Sequence, residues 1–378
     1  MKFSQLTVAF VASSVYVASA AISSVVTGVP VGFASGTTGG GTVAAVHPTT
    51  IAQLKTYLTS SSPQVIVISG TFNFAGSEGT QALTACNAYA CTPSNGGQAL
   101  LNTLNGCTQP TYGVTIDTAA YQGINVASDK TLVGTNGATL NGKGLRFVNV
   151  NNIIIQNIKI QNLNPQYVWG GDAISLSGTN NIWIDHVTTS NLGRQHYSFG
   201  PTANTGITIS NSFISGSTPN SATCNGHSYW GLELVGGGDF ITFYRNWVYF
   251  TSGRSPALSG TTLFHAVNNV WSSNAGHLIE GDKNGMGLYE GNYFLDTPTI
   301  VASGSVVALF SSEPAALTQC QASLGRSCVA NLLGTGSATT FNYDTTSFLT
   351  KFAGHNIPPA SNPASVATSV INGAGNTL

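Results

Sequence analysis

Six stretches of the chain share one order of apolar and polar positions. They are NIIIQNIKI (152–160), NIWIDHVTT (181–189), GITISNSFI (206–214), FITFYRNWV (240–248), TLFHAVNNV (262–270) and GLYEGNYFL (287–295). Each runs through a few alternating apolar residues, then Asn or Asp, then a second short apolar strand. The turn positions are Asn157, Asp185, Asn211, Asn246, Asn268 and Asn292, and their spacing is uneven, as expected when loops of different length enter on one side. A unit of this kind cannot bury its apolar face alone, so successive units must stack and share an interior. The pattern predicts an all-β chain: a single-stranded right-handed parallel β-helix. Asn suits the bend because it tolerates the left-handed backbone conformation, and stacked Asn side chains can hydrogen-bond from one coil to the next, each bond worth about 1 kcal/mol net. A sandwich or propeller fits less well, because hairpin signals are scarce.

Outside the repeats, ASDKTLVGTNGATLNGKGLRF (127–147) reads as an earlier coil. TTIAQLKTYLT (48–58) predicts a helix capping the open N-terminal end, which a stacked array requires. A short helix is expected over 311–325, followed by a C-terminal arm. No linker divides the chain. Residues 1–20, MKFSQLTVAFVASSVYVASA, have the charged start, apolar run and small-x-small end of a signal peptide. The expectation is therefore a secreted protein whose single catalytic domain spans 21–378, with no membrane span.

Composition narrows the partners. Only 7% of the chain is Asp, Glu, Lys or Arg and the net charge is −1, against about 25% charged residues in an ordinary protein. There is no basic patch for nucleic acid, and a polyanion would gain little long-range attraction. A neutral polymer is not penalised, and few charges on a closed repeat point to a monomer. Six cysteines suit an oxidising compartment; six allow fifteen pairings, of which Cys320 with Cys328 is favoured by proximity. Neither CxxC pairs nor clustered histidines indicate a zinc site.

Three segments concentrate the charge of the central coils. VWGGDAI (168–174) carries Trp169 and Asp172; WIDHVTTSNLGRQHYSFG (183–200) carries Asp185, His186, Arg194 and His196; YFTSGRSP (249–256) carries Arg254. Stacked coils would bring them to one face. Each residue also has a plainer reading. Asp172 could cap a turn, Asp185 stands at a turn position, His186 reads as structural, and Arg194 alone would be a surface ion-pair partner. His196 and His227 either line a cleft or hold a loop. Trp169 and Trp230 lie beside charged or Gly residues, where sugar rings could stack on them. Trp183, Trp247 and Trp271 lie in strands and read as packing.

Together with SATCNGHSYWG (221–231), these motifs resemble those of the pectin lyases of polysaccharide lyase family 1, over about residues 31–329. The resemblance implies a parallel β-helix that cleaves methyl-esterified polygalacturonate (pectin) by β-elimination, with no metal and no other cofactor. It implies Arg254 as the proposed base, Arg194 where related pectate lyases bind calcium, and Asp172 as the neighbouring acid. It also implies the disulfides Cys86–Cys107, Cys91–Cys224 and Cys320–Cys328. The chain departs from many pectin lyases in its N-terminal loop, CNAYACTPSNGGQALLNTLNGC (86–107), where Tyr89 is the only aromatic.

The chemistry agrees. Removing the C5 proton of a galacturonate builds negative charge on the C6 carbonyl oxygen, and a fixed cation there lowers the barrier. Calcium would need several carboxylates, which GRQH does not supply, so the alternative of a calcium-dependent pectate lyase is disfavoured. A hydrolase would need paired acids around a water. A non-catalytic carbohydrate-binding β-helix is the remaining alternative. The role of Arg254 stays open between two readings. As a base it would need a pKa lowered by roughly five units, about 7 kcal/mol; as a cation it would stabilise the intermediate while water or hydroxide takes the proton.

Overall fold

In the repeats, alternate residues point inward and form columns. The computed structural model describes residues 21–311 and 318–378; the signal-peptide reading of 1–20, and residues 312–317 of the helix expected over 311–325, lie outside them. Strands of successive coils pair in parallel, with Ile153 beside Ile182, Ile207, Ile241 and Phe264 in turn. Two places along the same strands, Ile155, Ile184, Ile209, Phe243, Ala266 and Tyr289 form a second column. All are buried in one continuous core. The chain therefore winds as a parallel β-helix.

A second face carries Ile160, Thr189, Ile214, Val248, Trp271 and Phe294 inward, again in register. The third face is a separate sheet of seven parallel strands: Ile124–Asn125, Leu145–Val148, Ile174–Ser177, Tyr197–Phe199, Leu232–Leu234, Ala257–Leu258 and Glu280–Gly281. Phe147, Leu176, Phe199, Leu234 and Leu258 point into the core. The alternate positions Asn125, Arg146, Ser175, Ser198, Glu233, Ala257 and Glu280 form an outward row.

The turns need two consecutive positions where the sequence pattern suggested one. Asn157, His186, Asn211, Arg245, Asn268 and Gly291 have the left-handed backbone, with φ of 57°, 51°, 45°, 56°, 54° and 62°. The inter-coil ladder belongs to the next residue. Asn246 hydrogen-bonds Asn269 Oδ1 through both its backbone N (2.8 Å) and its Nδ2 (3.1 Å). Asn269 treats Asn292 likewise, and Asn292 treats Asn331 likewise. Asp185 lies one residue before the bend. It accepts hydrogen bonds from Gln156, Ser210 and Asn211 and pairs with His186 at 2.7 Å, which makes both structural.

A helix forms at Ile51–Thr59, started by Thr50, whose hydroxyl accepts from the Gln53 N–H, and it buries Leu54 and Leu58. A short helix covers Gln319–Leu324, and an unanticipated one, Pro363–Gly373, packs Ala367 and Val370 against Val270. A four-stranded sheet, of which Thr80–Cys86, Ala99–Leu101 and Thr111–Asp117 form the antiparallel part, stands beside the coils. The disulfides are Cys86–Cys107, Cys91–Cys224 and Cys320–Cys328. The second ties this sheet's loop to the 221–231 segment. Trp271 is in the core. Trp183 is buried beneath the N-terminal segment, and Trp247 stacks on Phe213 at 4.5 Å outside the coils.

Candidate active site

The outward row places Glu233 and Glu280 two strands apart, and the segments entering the neighbouring strands Tyr197–Phe199 and Ala257–Leu258 bring Arg194 and Arg254 to them. Glu233 Oε1 accepts from Arg194 Nη2 at 2.7 Å and from Arg254 Nη1 at 2.8 Å. Arg254 Nε reaches Glu280 Oε1 at 3.0 Å. Glu280 Oε2 accepts from Tyr229 Oη at 2.8 Å and pairs with His277 Nε2 at 2.7 Å. The two arginines expected from the sequence thus share one carboxylate. Glu233, Glu280, Tyr229 and His277 were not singled out. The signal for Glu233 was present, since Leu-Glu-Leu puts one rare acid on the outward side of an apolar strand.

TSGRSP is built to hold its arginine. A Cβ on Gly253 would collide with the Tyr229 ring, so the glycine serves close packing rather than backbone freedom. Arg254 itself takes the left-handed region at φ 42°. Ser255 is buried and anchored, its N–H to Leu278 O (2.8 Å) and its hydroxyl to Thr251 (2.9 Å). The guanidinium lies 5.2 Å from the Trp230 ring centre and 5.9 Å from that of Tyr229.

Arg194 is buried, with its guanidinium 3.7 Å over the Trp169 ring, a close cation–π contact. Asp172 does not ion-pair with it directly; its Oδ1 accepts from the Gln195 N–H at 2.9 Å. Burial pushes the Asp172 carboxyl up to about 6, against the opposing pull of Arg194 and that N–H. Burial also raises Glu280, but the bonds from His277 and Tyr229 and the charge of Arg254 outweigh it and bring the group down to about 2. Burial, then the bond to Glu280, pushes Tyr229 up to about 12.

The remaining expected site residues are placed differently. Trp230 is 7% exposed, its indole N–H bonded to Gln98 Oε1 at 2.9 Å and its ring packed edge-on by Tyr229 and Tyr89. It is a floor under the arginines, while Trp169 is half-buried at the cleft wall. His196 points inward to Thr189 Oγ1 (2.7 Å), and burial brings it down to about 3, so it is neutral and away from the cleft. The reason is the bend ahead of the strand: counted back by two from outward Ser198, His196 would face out, but the chain bends at Gly193–Arg194 and again at His196 and turns the ring inward. His227 stacks on Phe250 at 3.6 Å and contacts Asn225 O and Ser273 O, holding the 221–231 loop. Among the described residues, no three of His, Cys, Asp and Glu converge to hold a metal ion.

The fold is thus a parallel β-helix with two arginines and two carboxylates gathered on the outward row of one sheet. A family model described as pectate lyase matches residues 96–357. "Probable pectin lyase E" of Aspergillus niger is 66% identical over 363 residues, 96% of this chain and 98% of its own. "Pectin lyase A" of Emericella nidulans is 46% identical over 377 residues, with 96% and 98% covered. A solved pectate lyase of Paenibacillus sp. 0602 shares the fold, with a TM-score of 0.58, 15% identity, and 92% and 95% covered. A pectate lyase of Bacillus sp. N165 in complex with trigalacturonate gives 0.55, 19%, and 92% and 98%. The chain belongs to the pectate lyase family, and within it to the pectin lyases: it is a polysaccharide lyase that cleaves pectin.

Proposed function

We propose that the reacting sugar is a methyl-esterified galacturonate and that no metal ion takes part. The observation carrying this reading is the Arg194–Glu233–Arg254 cluster, two cations held by one carboxylate in the outward row. In the reaction, a base takes the C5 proton. The C5–H electron pair forms the C4=C5 double bond, the C4–O bond breaks, and the leaving oxygen takes up a proton. Charge develops at the C6 carbonyl oxygen, where a guanidinium stabilises it. A methyl ester starts neutral, so cations held on the protein can serve here.

Of the two roles for Arg254, the ion pairs favour the cationic one. Arg254 donates to both Glu233 and Glu280, which is the use of a cation and not of a base, so Arg254 is the enolate stabiliser and water or hydroxide takes the proton. Arg194 supplies the second cation, Asp172 a carboxyl that exchanges a proton near neutrality, and Trp169 an aromatic face for the sugar. The helix Ile51–Thr59 closes the N-terminal end of a right-handed coil, and the segment after Gln319–Leu324 forms a C-terminal arm. In this reading the chain is one catalytic domain, secreted after loss of residues 1–20, and works as a monomer.

The test is turnover of highly methylated pectin, followed by the ultraviolet absorbance of the unsaturated product, with and without a chelator. Arg254→Ala should lower the rate by about 10²–10³, as loss of an oxyanion donor does, and the chelator should leave the wild type unchanged. Equal rates in the variant, or loss of activity on chelation, would overturn the reading.

A further inference from the structure

The cleft continues beyond the cluster. A cavity of about 480 Å³ runs from Trp169, Gly171 and Asp172 to Ser175, Arg146 and Asn125. The strand register sets Glu233 beside Ser198, Ser198 beside Ser175, and Ser175 beside Arg146. Arg146 therefore stands three strand steps along the outward row from Glu233, about 14 Å at a spacing of ~4.8 Å.

Arg146 differs from the other two cleft arginines. Arg194 and Arg254 are neutralised by Glu233 and Glu280. Arg146 is exposed, and its hydrogen-bond partner is the uncharged Asn125 Oδ1, 3.0 Å from Nη1. Among the described residues it forms no ion pair. The Asn125 bond steadies one arm of the guanidinium and leaves the remaining donors facing the cavity. An uncompensated planar fork in a polymer-binding cleft suits a carboxylate, which it can grip through two parallel bonds. A methyl ester carries no charge to match it.

We propose that Arg146 is a specificity-determining residue that receives a free carboxylate on the same polymer, an unesterified galacturonate about three sugars from the reacting one. The inference rests on the reading above and takes the polymer to lie along the outward row, with its methylated sugar over Glu233, where Arg194 and Arg254 meet. A 1,4-linked sugar in an extended chain advances by a length close to one strand spacing, so three steps match about three sugars. Free charge hinders proton removal only on the reacting sugar. The cleft thus reads ester at one position and acid at another.

The experiment compares intact wild type, Arg146→Gln and Arg146→Lys on fully methylated and on randomly part-demethylated galacturonate oligomers, with products sequenced by mass spectrometry. Wild-type products should carry free acid in excess about three sugars from the new end on one side of the cut. The ratio of kcat/KM on part-demethylated over fully methylated oligomers should fall about five- to tenfold in Arg146→Gln, and Arg146→Lys should recover part of it. Rising salt should narrow the wild-type ratio, since the site is exposed. Absence of a positional excess in the wild type, or an excess that survives in Arg146→Gln, overturns the inference. No cleavage of any methylated oligomer would overturn the underlying reading instead.

Discussion

Replacing Glu233 by Gln separates the two roles open to Arg254. Its Oε1 accepts from Arg194 at 2.7 Å and Arg254 at 2.8 Å, and the side chain is only 18% exposed. Unit charges about 4 Å apart attract by about 4 kcal/mol at an effective dielectric of about 20. After desolvation, a charge-assisted hydrogen bond keeps about 1.5–3 kcal/mol. Gln preserves the shape and one acceptor but removes the charge, so two guanidiniums would face each other with less between them. If Arg254 acts as a cation, its placement loosens and kcat should fall by about 10- to 100-fold, equivalent to about 1.4–2.8 kcal/mol. The pH–rate profile should keep its shape. If Arg254 acts as a neutral base, losing the carboxylate eases its deprotonation, and the rising limb of the profile should move to lower pH. Initial rates on highly methylated pectin, read as ultraviolet absorbance across the pH range, decide between them. A kcat within about twofold of wild type, with an unmoved profile, would refute the reasoning that Glu233 positions the cations.

Two further outcomes concern stability. The Asp172 carboxyl is pushed from an ordinary 3.8 up to about 6, so the folded protein holds that proton more tightly than the unfolded chain; this group's contribution is most favourable below about pH 4, declines as pH rises to about 6, and costs on the order of 2–3 kcal/mol above that. Urea unfolding of Asp172→Asn near pH 4 and pH 7 should show that decline removed, the variant gaining on wild type at the higher pH. Asn269→Ala should lose about 3 kcal/mol in the same assay, because it leaves Phe243 O, the Asn246 N–H and Asn292 Oδ1 short of buried partners.

The stacked coils could be read from the sequence because inward positions repeat with a period of two and each run ends at a polar bend. The bend itself was blurred. Backbone conformation and side-chain stacking are separate demands that fall on adjacent residues, as at Arg245 and Asn246, and a pattern of Asn positions merges them. Asp172, Arg194 and Arg254 were visible as scarce charges in dense local motifs. Their partners were not, because pairing depends on which strand lies beside which: Glu233 meets Arg194 across 39 residues and Arg254 across 21. His196 misled for the complementary reason. It sits two residues from a cleft arginine, where strict alternation would keep it on the cleft side, but the bend ahead of Tyr197–Phe199 turns it toward Thr189. Trp230 reads from the sequence as a ring on which sugars could stack; its bond to Gln98, 132 residues away, and the packing of Tyr89 and Tyr229 against it leave it 7% exposed.

The asparagine ladder bears on how such a chain can change over time. Its rungs are separated by 34, 23, 23 and 39 residues from Ser212 through Asn246, Asn269 and Asn292 to Asn331, yet they remain in one column. Between Ser212 and Asn246 the extra length lies where the chain leaves the coil, in the segment that carries His227 and Trp230. One residue inserted between a rung and its strand would swing the amide out of the column and turn the strand's apolar side outward. The molecule therefore has one side open to insertion and one closed to it. New loops, and with them new sugar contacts, can be tried above the cleft while the opposite wall holds every coil in place.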